Sequence, residues 1–170
     1  NFSGILKWWI YYSDGTLKLE GTENFDIKPC TSLQLKAMDL SNIIKNDKDQ
    51  QNTIIFFKLY SKDNTNKVLG SGMRLFGQPK NFKLQDPNLN IKISPTANKD
   101  VFTIDVKADS IALYIYLESE IGDFIADDNY FSLSPNESRS ISVRILDHKQ
   151  KSAKEIADSI YARSLFDLLH

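Results

Sequence analysis

The sequence predicts an all-β protein, two β-sandwich domains in tandem with one short helix near the C-terminus. Three observations carry that expectation. Apolar and polar residues alternate with a period of two along most of the chain, as strands with one wet face require. Polar turns break these runs at short spacing, the pattern of sandwiches and barrels. A stretch with two prolines and no long apolar run, residues 77–87, interrupts the alternation at mid-chain.

The first strand is the aromatic and branched run at 5–12, which ends in Ser13-Asp14-Gly15. Asp-Gly marks a tight turn because glycine tolerates positive φ. Leu17 and Leu19 alternate with Lys18 and Glu20; Phe25 and Ile27 follow, closed by Pro29; Leu33 and Leu35 alternate with Gln34 and Lys36. A polar loop at 46–52 leads into the run at 54–60, which is too apolar to be half exposed. Val68, Leu69, Met73, Leu75 and Phe76 complete six strands, so a first sandwich is expected at 1–80. Residues 81–87 are the linker, since proline stiffens a connector and cannot donate to a ladder.

The second sandwich is expected at 88–170. Its strands carry Ile91 and Ile93, then Phe102, Ile104 and Val106, then Ile111, Leu113, Ile115 and Leu117. Phe131 and Leu133 lead into a turn, and Ile141, Val143 and Ile145 alternate with Ser142 and Arg144. Ser152 and Glu155 form a capping box, each satisfying a free backbone N–H. Ala153, Ile156, Ala157 and Ile160 then recur at helical spacing, which predicts the single helix. The tail at 161–169 reads as a last strand.

Composition excludes several functions. The 170 residues carry a net charge of −1, which rules out a broadly basic nucleic-acid binder. No apolar run approaches the ~20 residues of a membrane helix. Cys30 is the one cysteine, and His148 and His170 are the only histidines, so no disulfide framework, CxxC site or His cage is expected. No phosphate loop or HExxH occurs; neither cofactor nor metal is expected. The chain opens on Asn1, with no basic-plus-apolar leader, and reads as an excised piece of something longer.

Each candidate for chemistry has a plainer reading beside it. Glu118, Glu120, Asp123, Asp127, Asp128 and Asn129 could offer oxygens to calcium, but the spacing matches no EF-hand and a solvated loop is the stronger reading. A glycosidase pair there would lack the apolar pocket that raises an acid's pKa. Trp8 and Trp9 could stack on a sugar ring, although neighbours on a strand point to opposite faces. Tyr11 and Tyr12 share that ambiguity. Cys30 has no nearby His or basic pair to lower its pKa and is expected to be buried or inert. Asn1 and Asn136 match the glycosylation sequon. No residue is assigned to catalysis.

Asp128-Asn129-Tyr130-Phe131-Ser132-Leu133-Ser134-Pro135-Asn136-Glu137 resembles the SDNYFDLLPGE motif in the last immunoglobulin-like domain of family 2 glycoside hydrolases of the β-mannosidase type. The strand at 111–117 with Gly122, and the ending Ser164-Leu165-Phe166-Asp167, are similar to that domain too. Trp8-Trp9-Ile10, Asp14-Gly15, Phe76 and Pro79-Lys80 are similar to the preceding sandwich. Ser132, Ser134 and Asn136 stand where the family has Asp, Leu and Gly; asparagine tolerates the left-handed region, so the last change is mild.

The resemblance implies two immunoglobulin-like sandwiches, the first incomplete at its N-terminus. Asp128, Asn129, Tyr130, Phe131 and Pro135 are then structural, and the family's two catalytic glutamates lie on a (β/α)8 barrel outside this chain. The expected role is non-catalytic support of that barrel, whose parent is a retaining enzyme acting on terminal non-reducing β-mannose. The barrel is the expected partner, with a homodimer besides, and no nucleic acid or membrane span. The expected location is extracytoplasmic: periplasmic or secreted in a bacterium, lysosomal in a eukaryote. The alternatives are a carbohydrate-binding module built on Trp8 or Trp9, and an adhesion or interaction module.

Overall fold

The computed structural model describes residues 1–64, 67–146 and 151–169. His148 and His170 lie outside them. The chain divides into two compact units, Asn1–Lys83 and Leu84–His170.

The first unit holds β1 (Phe2–Tyr12), β2 (Leu17–Ile27), β3 (Thr53–Ser61) and β4 (Val68–Leu75). They form one antiparallel sheet in the order β2-β1-β3-β4. The β1–β2 turn is built as its residues dictate: Gly15 takes φ 83°, its N–H donates to the Tyr12 carbonyl, and Thr16 N–H donates to the Asp14 carboxylate. Leu6, Trp8, Ile10 and Ile55 form a buried cluster on one face.

Several expectations change here. Phe25 and Ile27 continue β2 rather than starting a strand of their own. Leu33 and Leu35 lie in no strand. Instead Leu35, Met38, Leu40 and Ile43 pack from an irregular segment onto the buried cluster. Leu35 thus faces inward while Leu33 is exposed, and the segment forms a coil cover with no ladder partner. The polar loop at 46–52 contains a one-turn helix, α1 (Asp47–Gln50), capped by the Asn46 side chain. The first unit is therefore a single sheet with a coil layer, where two sheets were expected.

Pro79–Asn81 forms a 3-10 turn ahead of the division between the units. The second unit contains β5 (Asn90–Pro95), β6 (Val101–Lys107), β7 (Ala112–Ser119), β8 (Phe124–Ala126), β9 (Phe131–Leu133), β10 (Ser138–Ile145) and β11 (Ile160–Arg163). One sheet runs β5-β6-β10-β8 and the other β11-β7-β9. Phe102, Ile104, Val106, Ile115, Leu133, Ile141 and Val143 fill the core, none above 1 % exposed. Burial of each such side chain contributes roughly 1.5–3 kcal/mol, so the period-two pattern is also the energetic skeleton.

The helix α2 (Ala153–Ser159) starts at the Ser152 capping box, with Ile156 buried. The expected final strand is shorter than the tail. β11 ends at Arg163, and Leu165–Leu169 forms a third helix, α3. Ser164 explains the switch: its N–H and hydroxyl both donate to the Asp167 carboxylate, a second Ser-x-x-acid start. Beside the expected α2, the described residues thus hold two further short helices, α1 and α3. None is long and apolar enough to cross a membrane.

Candidate functional site

The two tryptophans do not form a shared platform. Trp8 faces the cluster of the first unit and is 7 % exposed, while Trp9, one residue on, is half-buried on the opposite face. Trp8 lies over Gly21 of β2, leaving no room for a β-carbon there. Phe25 covers Gly4 and Phe57 covers Gly72 in the same way. Three rings thus lie flat across one sheet face because their cross-strand partners lack side chains. Beside them opens an apolar hollow of about 240 Å³, lined by Leu6, Trp8, Leu35, Met38, Phe57 and Leu59. Trp8 Nε1 is buried without a hydrogen-bond partner among the described residues. On the other face Tyr11 meets Phe56 edge-on at 6.1 Å. Tyr12 carries the Lys18 ammonium over its ring.

The motif at 128–137 builds a loop rather than a catalytic constellation. Asp128 pairs with Arg139 and accepts the Asn129 N–H at 2.8 Å. Asn129 Oδ1 accepts the N–H of Leu117 on β7 at 3.0 Å and that of Tyr130 at 3.2 Å. Phe131 is buried in the core, with the Arg139 guanidinium 5.1 Å from its ring centre. Pro135 is half-buried in the following turn. Asn136 takes φ 61°, the left-handed conformation expected of a residue replacing glycine. Glu137 accepts the Ser134 N–H and hydroxyl, so this carboxylate spends itself on the turn. Ser132 accepts the N–H of Tyr114, itself left-handed at φ 52°, and so holds the irregularity in the β7–β9 register.

Tyr130 is the strained member, with φ 61°. A left-handed non-glycine residue costs roughly 1–3 kcal/mol, which the surrounding contacts must offset. Its ring lies stacked on Tyr116, centroids 5.7 Å apart and planes at 19°, and the residue is 68 % exposed. Tyr116 and Glu118 point outward from β7 because Ile115 and Leu117 point in. Tyr161 and Arg163 stand opposite Glu118 and Tyr116 on β11. Arg163 lies 3.6 Å from the Glu118 carboxylate and 5.2 Å from the Tyr161 ring. A hydrogen bond to Glu118 pushes the Tyr161 phenol above its ordinary pKa, and the Glu118 charge raises that of Arg163. Sequence reasoning singled out Tyr130 and Glu118 but not Tyr116, Tyr161 or Arg163. The signal was present in the period-two alternation of both strands.

The acidic stretch is spread over separate tasks. Asp127 accepts the Ser142 N–H, Asp128 serves Arg139, and Glu118 serves Arg163. Residues 124–126, inside the expected loop, form β8 against β10. Among the described residues no three His, Cys, Asp or Glu side chains converge as a metal cluster would. Cys30, expected to be buried or inert, is exposed at φ 57° in the turn after β2. The cause is its position: it follows Pro29, where the sheet has ended.

The fold has solved relatives. The β-D-mannosidase of Dictyoglomus thermophilum shares 17 % identity at a TM-score of 0.67, over 96 % of this chain and 18 % of that one. The exo-chitosanase CsxA of Amycolatopsis orientalis shares 13 % identity at a TM-score of 0.59, over 96 % of this chain and 23 % of that one. At such identities the likeness establishes the fold, and this chain spans about a fifth of the length of either protein. No curated protein sequence matches the chain. The family model for an Ig-fold domain, Ig_mannosidase, matches residues 84–168, which is the sandwich that carries the motif loop. The chain belongs to the Ig_mannosidase family of Ig-fold domains.

Proposed function

We propose that this chain is a non-catalytic C-terminal portion of a family 2 glycoside hydrolase of the β-mannosidase type. Its work is to support a (β/α)8 catalytic barrel that hydrolyses terminal non-reducing β-mannose. The observation that carries this reading is the likeness to a β-D-mannosidase over nearly the whole chain but under a fifth of that protein. Chemistry in the chain points the same way: Glu118, Asp127, Asp128 and Glu137 are engaged in turns, strand ends and ion pairs. A glycosidase needs two carboxylates facing each other across a bond, whereas these four are each held to another partner. The barrel is the partner in this reading, a homodimer is compatible with it, and the parent works outside the cytoplasm.

An aryl β-mannoside assay tests the proposal, comparing this chain with the same chain joined to its upstream coding sequence. Hydrolysis by the longer protein alone is the expected result. Turnover by the 170-residue chain would overturn it. So would a longer protein that folds and cleaves no β-mannoside.

A further inference from the structure

We propose that the outer face of the β11-β7-β9 sheet binds a neutral oligosaccharide, with the Tyr130 ring as its stacking platform. This goes beyond the supporting role above and does not depend on it.

The argument starts from strain. The motif loop spends the Asn129 side chain on fixing Tyr130 in the left-handed region, where tyrosine has no intrinsic preference. Core packing does not explain it, because the side chain is 68 % exposed while its neighbour Phe131 fills the core. The conformation lays the ring against Tyr116, which holds one face and leaves the other to solvent. A ring fixed in this way offers a flat, electron-rich surface at little entropic cost. The C–H face of a pyranose packs on such a surface.

The surrounding groups select the ligand class. Tyr161, Glu118 and Arg163 bring a phenol, a carboxylate and a guanidinium to the same sheet face. The last two pair at 3.6 Å, while Glu120 acts on Tyr161 and Asp123 stands close by, so the face disfavours a phosphate or any other anionic ligand. It does retain donors and acceptors suited to hydroxyl pairs. An open hollow of about 290 Å³, with Ser119, Asp123 and Tyr161 in its lining, continues from Glu118.

The test is an amide NMR titration of the whole 170-residue chain with β-1,4-mannohexaose, N-acetylchitohexaose and cellohexaose. At least one hexasaccharide is expected to shift the amides of Tyr116, Tyr130, Tyr161 and Arg163 at millimolar concentration. Tyr130→Asn, which keeps a left-handed backbone accessible, is expected to weaken binding about tenfold or more, and Tyr130→Phe less than about threefold. Arg163→Gln leaves the loop intact and provides a second readout, a loss of about threefold. Absence of shifts up to about 10 mM of all three sugars overturns the proposal. Shifts unaffected by both Tyr130→Asn and Arg163→Gln also overturn it. A Tyr130-dependent dimer with no sugar response would replace it with a protein contact. Failure of the mannosidase assay leaves this readout untouched, because it reports the chain's own amides.

Discussion

In the second unit, Phe102, Ile104 and Leu133 are sealed between two hydrogen-bonded sheets. In the first, Leu6, Trp8 and Ile55 are covered by residues 35–43, a segment with no ladder of its own. The sequences feeding the two cores have similar apolar density, so hydrophobicity alone does not separate them. The difference lies in what lies over the sheet. A second sheet fixes its side chains in register, whereas a coil layer leaves Phe57 37 % exposed and an open apolar hollow beside it. The first unit is accordingly expected to be the less stable of the two.

The largest expected effect tests that contrast directly. Phe102→Ala should cost the second unit about 3–5 kcal/mol, since its closed core cannot collapse onto the cavity. Leu35→Ala in the coil cover should cost the first unit less than about 2 kcal/mol, because the half-buried side chain already borders solvent. Guanidinium unfolding separates the two, as both tryptophans lie in the first unit and their fluorescence reports it alone. Circular dichroism reports both units. Fluorescence lost at higher denaturant than the dichroism signal would reverse the comparison.

Next in size is Asn129→Ala. It leaves the partly buried N–H of Leu117 without its acceptor and should destabilise the second unit by about 1–3 kcal/mol, with fluorescence unchanged. A loss under about 0.5 kcal/mol would show that the motif loop is not held by that side chain.

Gly21→Ala sharpens the account of the first unit. In an ordinary strand alanine is favoured over glycine, but here the new methyl meets the Trp8 ring. Destabilisation of about 1–3 kcal/mol is expected, with a red shift of the emission as Trp8 is displaced. A stabilised variant with unchanged emission would refute the flat-ring packing.

The smallest effect concerns pH. The Ser152 backbone N–H and hydroxyl hold the Glu155 carboxyl below its ordinary pKa. Because the folded value is depressed, the contribution of this cap is present above the ordinary glutamate range. It is lost as pH falls through the folded value. Glu155→Gln should therefore flatten part of the acid limb of the α2 melting profile, and an unchanged limb would remove the capping box from the account.

Much of this architecture is legible in local pattern. Period-two alternation located the core strands of the second unit, because each inward residue there meets an opposing sheet. Ser152 and Glu155 marked α2 through chemistry confined to four residues. Reading failed where the outcome depended on partners distant in sequence. Leu33 and Leu35 alternate as a strand would, yet they pair with neither edge of the sheet, and Leu35 becomes part of a cover. Ser164 and Asp167 carried the same helix-start signal as Ser152, obscured by the apolar run around them.

The sequence by itself determined the all-β class, the inward faces of the second sandwich, the capping box of α2 and the left-handed turn at Asn136. These rest on steric and hydrogen-bonding preferences that act over a few residues. Only the tertiary structure decided that the first unit has one sheet, that Trp8 and Trp9 part company, and that Tyr116, Tyr130, Tyr161 and Arg163 share a surface. Those outcomes depend on cross-strand register, and register joins residues dozens of positions apart: Arg163 stands beside Tyr116 only because β11 returns to pair with β7.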